Sequence, residues 1–219
     1  MYQPRAFQET DIENISCLVR DNPLGTLVVA NKSGFEVNHI PFVLDVENTT
    51  ALRLRAHIPK ANPLVELVQN SESCVVIFHG ADGYISPSWY STKKKHGKVV
   101  PTWNYSVVHI HGKLTLVEDK TWLVKQLEEL TNQKEKNRTN QWQVSDAPKG
   151  YTEKQLSFLV GIEITSTKVE AKTKGSQNQP MENRNSVMSS IREEQPESEF
   201  RDMMAVSYTH LTLPTILLV

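Results

Sequence analysis

The run from Thr102 to Val117, TWNYSVVHIHGKLTLV, constrains the fold more than any other stretch of the chain. It is rich in aromatic and β-branched residues and holds no proline, the composition of a long β-strand. Shorter runs of the same character surround it. Gly25 to Ala30 (GTLVVA) reads as a short buried strand, and Phe35 to Ile40 as its hairpin partner across the turn Asn31-Lys32-Ser33-Gly34. Ala51 to His57 (ALRLRAH) alternates, with Arg53 and Arg55 on one face and Leu52 and Leu54 on the other. Ser73 to His79 reads as a fully buried strand. Leu159 to Glu163 and Thr167 to Ala171 read as two further strands, the second at a sheet edge.

Helical signals fall between these runs. Thr10 with Glu13 has the form of a capping box, and Ile12, Ile15, Leu18 and Val19 follow at helical spacing until Asn22-Pro23 stops them. A short helix is expected from Pro63 to about Asn70. Another is capped by Asp119 and runs to about Thr131, with Trp122, Leu123, Leu127 and Leu130 on one face. Asn132 to Lys149 reads as an irregular polar excursion. Pro180 to Arg192 is amphipathic through Met181, Val187, Met188 and Ile191, and Arg192 to Ala205 is assigned to no element.

Alternating βαβ spacing is absent, as are GxGxxG and GxxxxGK, so a doubly wound nucleotide fold is disfavoured. The expectation is an α+β chain, mainly β, with a small β-barrel and helices packed outside it. Residues 1–171 form the domain and 172–205 a polar extension with one helix. The final 206–219 (VSYTHLTLPTILLV) turn abruptly apolar and read as a non-native tail, excluded from the fold.

Charge excludes some partners. With 24 Lys and Arg against 25 Asp and Glu the net charge is −1, so DNA contact needs a local patch. Lys93, Lys94, Lys95 and Lys98 are the one candidate. Cys17 and Cys74 lie in apolar patterns and read as buried free thiols of a reducing compartment. MYQPRAFQETD lacks a signal-peptide pattern and no apolar run approaches the roughly 18 residues of a membrane span. The expected location is the cytoplasm.

The chemistry concentrates in two places. His57, Lys60 and Asn62 follow a strand and precede a helix start at Pro63, an arrangement suited to a phosphate. His39 reaches a second strand end. Between Tyr84 and Gly112, Trp89, Trp103 and Asn104 supply aromatic faces and an amide that suit a flat ring system. His109 and His111 share a strand face without a third ligand at metal-like spacing, so no metal is assigned. Neither a GxSxG elbow nor an activated cysteine is present, and no acid–base pair is patterned, so catalysis has no support in the residues.

YISPSWY, HGKVVPTWNY and VHIHG resemble the PaiB family of FMN-binding negative transcriptional regulators. MYQPRAF, NPLGTLV, NHIPF, RAHIPKANP and SQNQP match the same family in order, so the likeness spans about Met1 to Ile191. The resemblance implies an FMN-binding split β-barrel of the pyridoxamine-phosphate-oxidase kind, a homodimer with flavin at the subunit interface. It also implies repression of degradative-enzyme and sporulation genes. Carried onto this chain, it makes His57, Lys60 and Asn62 the phosphate side, Trp103 and Asn104 the ring side, and His39 and Trp89 lining residues. A flavin- or haem-dependent oxidoreductase on the same barrel is the alternative.

Overall fold

A computed structural model describes residues 1–32, 34–46, 52–68 and 73–209. Its elements are β1 (Gln8–Glu9), α1 (Ile12–Asp21), β2 (Leu24–Asn31), β3 (Gly34–Pro41), β4 (Val43–Val46), β5 (Leu52–Pro59), α2 (Leu64–Val68) and β6 (Cys74–Ile85). They continue with α3 (Lys93–His96), β7 (Thr102–Val117), α4 (Lys120–Glu135), α5 (Lys149–Ser157), β8 (Leu159–Lys174), α6 (Met181–Glu194) and α7 (Glu199–Thr209).

Among the described residues the strands form one sheet in the order β3-β2-β6-β7-β8-β5-β4, with β1 on β8. The pairs β2–β3, β2–β6, β4–β5, β5–β8 and β1–β8 are antiparallel. The expected α+β, split-barrel-type architecture is therefore present, and the sheet stays open rather than closing. The predicted long strand is β7 from end to end.

Contacts divide the chain into two compact units. Unit 1 comprises Met1–Asp11, His79–Val108 and the chain from Glu170 onward; unit 2 comprises Ile12–Phe78 and His109–Val169. Unit 2 is cored by the inward faces of its strands: Leu27 and Val29, Leu54 and Ile58, Val76 and Phe78, Ile162 and Ile164. Phe42 meets Phe78 edge-on, with centroids 5.9 Å apart. Unit 1 is cored by Ile85, Tyr90, Val187, Met188, Ile191, Phe200 and Met204. Phe200 lies flush on β6, where a side chain at Gly83 would collide with its ring, so the glycine is required by the phenyl of α7.

Several expectations need correction. Leu159–Lys174 is one strand, and it lies inside the sheet rather than at an edge. The intervening Ile164-Thr165-Ser166 reads as a break, but Thr165 pairs with Arg53 and Ser166 Oγ accepts the Leu52 N–H at 2.9 Å. The strand from Cys74 is half-buried and continues to Ile85. The lysine loop contains the short helix α3, closed by Gly97 at φ 66°, a left-handed position that favours glycine. Residues 150–157, assigned to no element, form α5 together with Lys149, the last residue of the expected excursion; its hydrophobic pattern is too weak to see because only Leu156 is buried among its described side chains. The Asp119 cap is confirmed, its carboxylate accepting the Trp122 N–H at 2.7 Å, but the buried face of α4 is Leu123 with Gln126. Both cysteines are free, yet Cys17 is exposed on α1, whose inward face is Ile15, Ser16 and Val19. The stretch left unassigned is largely α7, which buries Phe200, Met204 and Ser207 and takes in the first residues of the supposed tail. The rest of that tail (210–219) lies outside the described residues, as do Ser33, Ala51 and Asn70.

Candidate functional site

Unit 2 gathers the phosphate-side candidates at the ends of β5 and β3. β5 delivers His57, and the turn after Pro59 delivers Lys60 and Asn62. The Asn62 side chain fixes that turn from both ends: Oδ1 accepts the Leu64 N–H at 2.9 Å, and Nδ2 donates to Asn38 Oδ1 at 2.8 Å. Lys60 Nζ donates to the Ser157 carbonyl at 2.9 Å and meets no carboxylate among the described residues, so its charge remains available to an anion. His57 Nδ1 lies 2.8 Å from Gln126 Oε1. The same amide holds a buried donor, Gln126 Nε2, with no acceptor among the described residues. His39 is exposed and paired through Nδ1 with Thr26 Oγ1 at 3.1 Å, its register partner on β2.

The ring-side candidates belong to unit 1. Trp89 donates to Glu194 Oε1 at 2.8 Å and Trp103 to Asp82 Oδ1 at 2.9 Å. Trp103 is 52% exposed and tilts against Tyr84 with centroids 6.2 Å apart, an open aromatic pair. Asn104 follows it on β7, and successive strand residues face opposite ways, so Asn104 is fully buried. Its Nδ2 donates to Ser176 Oγ at 2.7 Å and to Met204 Sδ at 3.3 Å, while Oδ1 lacks a partner among the described residues.

Sequence reasoning missed a cleft of about 320 Å³ in unit 1. Its walls include Asn104, Ser176, His96, Lys98 and Lys174, and no carboxylate lines it. Lys174 Nζ donates to Thr102 Oγ1 and to the Trp103 carbonyl. Burial pulls its pKa below the usual lysine value, with Tyr105 opposing and Lys172 adding to that effect. Ser176, in the matched SQNQP segment, takes φ 60°, rare for a residue with a side chain. The segment was visible as a motif; Lys174, on a strand thought to end at Ala171, carried no signal.

The lysine cluster divides. Lys95 is paired with Glu182 and Lys93 donates to Ser88 Oγ at 3.3 Å. Lys94 is exposed, and Lys98 lies on the cleft wall. His109 and His111 lie with ring centroids 6.5 Å apart on β7.

A family model described as "Putative FMN-binding domain" matches residues 1–168. An uncharacterised protein of Emericella nidulans is 37% identical over 224 aligned positions, covering 86% of this chain and 89% of that protein. Protease synthase and sporulation protein PAI 2 of Bacillus subtilis is 32% identical, covering 81% of this chain and 83% of that protein. Among solved structures, the FAD and Heme binding protein from Mycobacterium smegmatis superposes with TM-score 0.56 at 16% identity, over 76% of this chain and 73% of that one. The Flavocytochrome Anf3 from Azotobacter vinelandii gives 0.54 at 12%, over 77% and 69%. At such identities these two show a shared fold. The residues present fit a flavin mononucleotide: among the described residues Lys60 offers an ammonium engaged by a carbonyl alone and Gln126 Nε2 a buried donor without an acceptor. No helix among the described residues is long and apolar enough to cross a membrane. The chain belongs to the FMN-binding domain family of the PaiB type, whose cofactor is FMN.

Proposed function

We propose that this protein is an FMN-responsive regulator of gene expression, with the flavin phosphate held by Lys60, Asn62 and His57 beside His39. The observation that carries the reading is Lys60 itself, a cation set by a rigid turn and engaged by a neutral carbonyl alone among the described residues. Bound FMN supplies a redox-active ring whose oxidation state a regulator can report. His57 is oriented by Gln126, whose Oε1 accepts from the ring at Nδ1, 2.8 Å away. Within unit 1, Trp103 and Tyr84 form an exposed aromatic pair, a candidate contact for a flat ring in its own right, with Trp89 as a further aromatic candidate. The PAI 2 relative's name ties that protein to protease synthesis and sporulation. Repression of degradative-enzyme and sporulation genes by a homodimer, in the cytoplasm, is the corresponding role here. Lys94, with Lys93, Lys95 and Lys98, is the patch offered to DNA.

A flavin- or haem-dependent oxidoreductase is the second reading, favoured by the shared fold of the two cofactor-binding proteins above. Flavin titration of the full chain, gel filtration, DNA-binding anisotropy and NAD(P)H oxidation separate the two. Lys60→Ala is expected to weaken FMN binding by about 1.5–3 kcal/mol, roughly 10- to 160-fold in Kd. An unchanged affinity removes Lys60 from the site. Retained flavin with sustained NAD(P)H turnover and no DNA binding replaces the regulator with the enzyme.

A further inference from the structure

The cleft of unit 1 is built for a ligand that the Lys60 site does not explain. Its polar groups are mismatched in a specific way. Lys174 brings a half-buried cation whose described partners, Thr102 Oγ1 and the Trp103 carbonyl, are both neutral. Lys98 and His96 line the same cleft. So does Pro180, the residue before the 14-residue helix α6, whose N-terminus has no side-chain cap. A helix N-terminus favours negative charge. Every one of these features calls for an anion.

Asn104 asks for the opposite. Ser176 Oγ, held at its unusual φ, accepts the Asn104 amide N–H, and so does Met204 Sδ, a thioether sulfur that can only accept, so Nδ2 is the satisfied end of the side chain. The remaining Oδ1 is an acceptor, fully buried on a cleft-lining residue, with no donor among the described residues. Only a group carrying N–H or O–H satisfies it. Trp103 faces the other side of β7, so what meets Asn104 is not what meets the Trp103 platform.

We infer that this cleft is a binding site separate from the FMN site, for a small phosphate- or carboxylate-bearing molecule that also carries an N–H or O–H donor. The anionic group is held by Lys174 with Lys98 and His96, and the donor by Asn104 Oδ1. The role is that of an effector read alongside the flavin.

Inorganic phosphate and sulfate test this. Both are compact dianions, but near neutral pH hydrogen phosphate keeps an O–H to donate and sulfate does not. Calorimetry on the FMN-saturated full chain is expected to show phosphate binding about tenfold tighter than sulfate, the value of one satisfied acceptor. Asn104→Leu should erase the preference, and Lys174→Met should abolish binding of both anions while leaving FMN affinity unchanged. If Lys174→Met does not fold, Lys98→Met, on an exposed side chain, should weaken both anions together. Equal binding of phosphate and sulfate, untouched by either lysine substitution, overturns the proposal as surface association. Loss of FMN in folded Lys174→Met overturns it too, because the cleft would then belong to the flavin. A chain that binds phosphate with the stated preference but no FMN keeps the cleft and defeats the FMN reading instead.

Discussion

Unit 2 buries one basic side chain and unit 1 half-buries another, and they treat them in opposite ways. In unit 2, Arg55 on β5 is 8% exposed, and its guanidinium takes both oxygens of Asp45, at 2.6 and 2.8 Å, and Glu129. The Asp45 hydrogen bond dominates in holding its pKa above the ordinary arginine value, against burial. Arg53 adds to the same cluster through Asp45 at 3.4 Å. In unit 1, Lys174 meets only neutral oxygens among its described contacts, and burial pushes its pKa down. A buried cation matched by carboxylates ties a fold together; one left unmatched beside an open cleft is a receptor awaiting charge.

The sharpest way to break this contrast is to remove the matched cation. Among the described residues, Arg55→Met leaves Asp45 and Glu129 with only the longer contacts to Arg53 at 3.4 Å and Lys125 at 3.9 Å, and unit 2 is expected to lose about 3 kcal/mol in urea unfolding. A loss below about 1 kcal/mol would show that the cluster is not structural. Alkaline titration probes the same unit at a comparable size. Burial raises the Cys74 thiol from 9.0 to about 11, a backbone hydrogen bond with Gly112 acting against it. The unfolded chain therefore releases this proton first, and stability falls between pH 9 and 11 by up to about 3 kcal/mol. Cys74→Ala should flatten that part of the profile, and Cys17, being exposed, should be the thiol that reacts with a labelling reagent in the native protein. The smallest effect is predicted in unit 1. Asn104→Leu deletes an unsatisfied carbonyl along with one good hydrogen bond, so stability should change by less than about 1 kcal/mol. A loss as large as that of Arg55→Met would mean that Asn104 serves the fold rather than a ligand.

Much of this architecture was legible in the residues. The long strand, the β2–β3 hairpin, the α1 stop before Pro23, the Asp119 cap and the α6 face all follow from signals that act within a few residues: alternation, capping and proline geometry. Lys60, Asn62 and His57 were also visible together, because one turn carries all three. What escaped notice lacks a local signal. Ser166 serves the ladder through a partner 114 residues away, and α5 has almost no apolar face.

The sequence by itself determined the strand-rich class, the family and the rigid turn that presents Lys60, since each rests on neighbours along the chain. Only the tertiary structure decided that Asn104 and Trp103 face apart, that Phe200 needs the bare backbone of Gly83, and that Lys174 stands without a carboxylate among its described contacts. Burial and charge compensation are properties of what surrounds a side chain in space. Asn104 meets Ser176 across 72 positions and Met204 across 100, distances over which no periodicity in the sequence carries information.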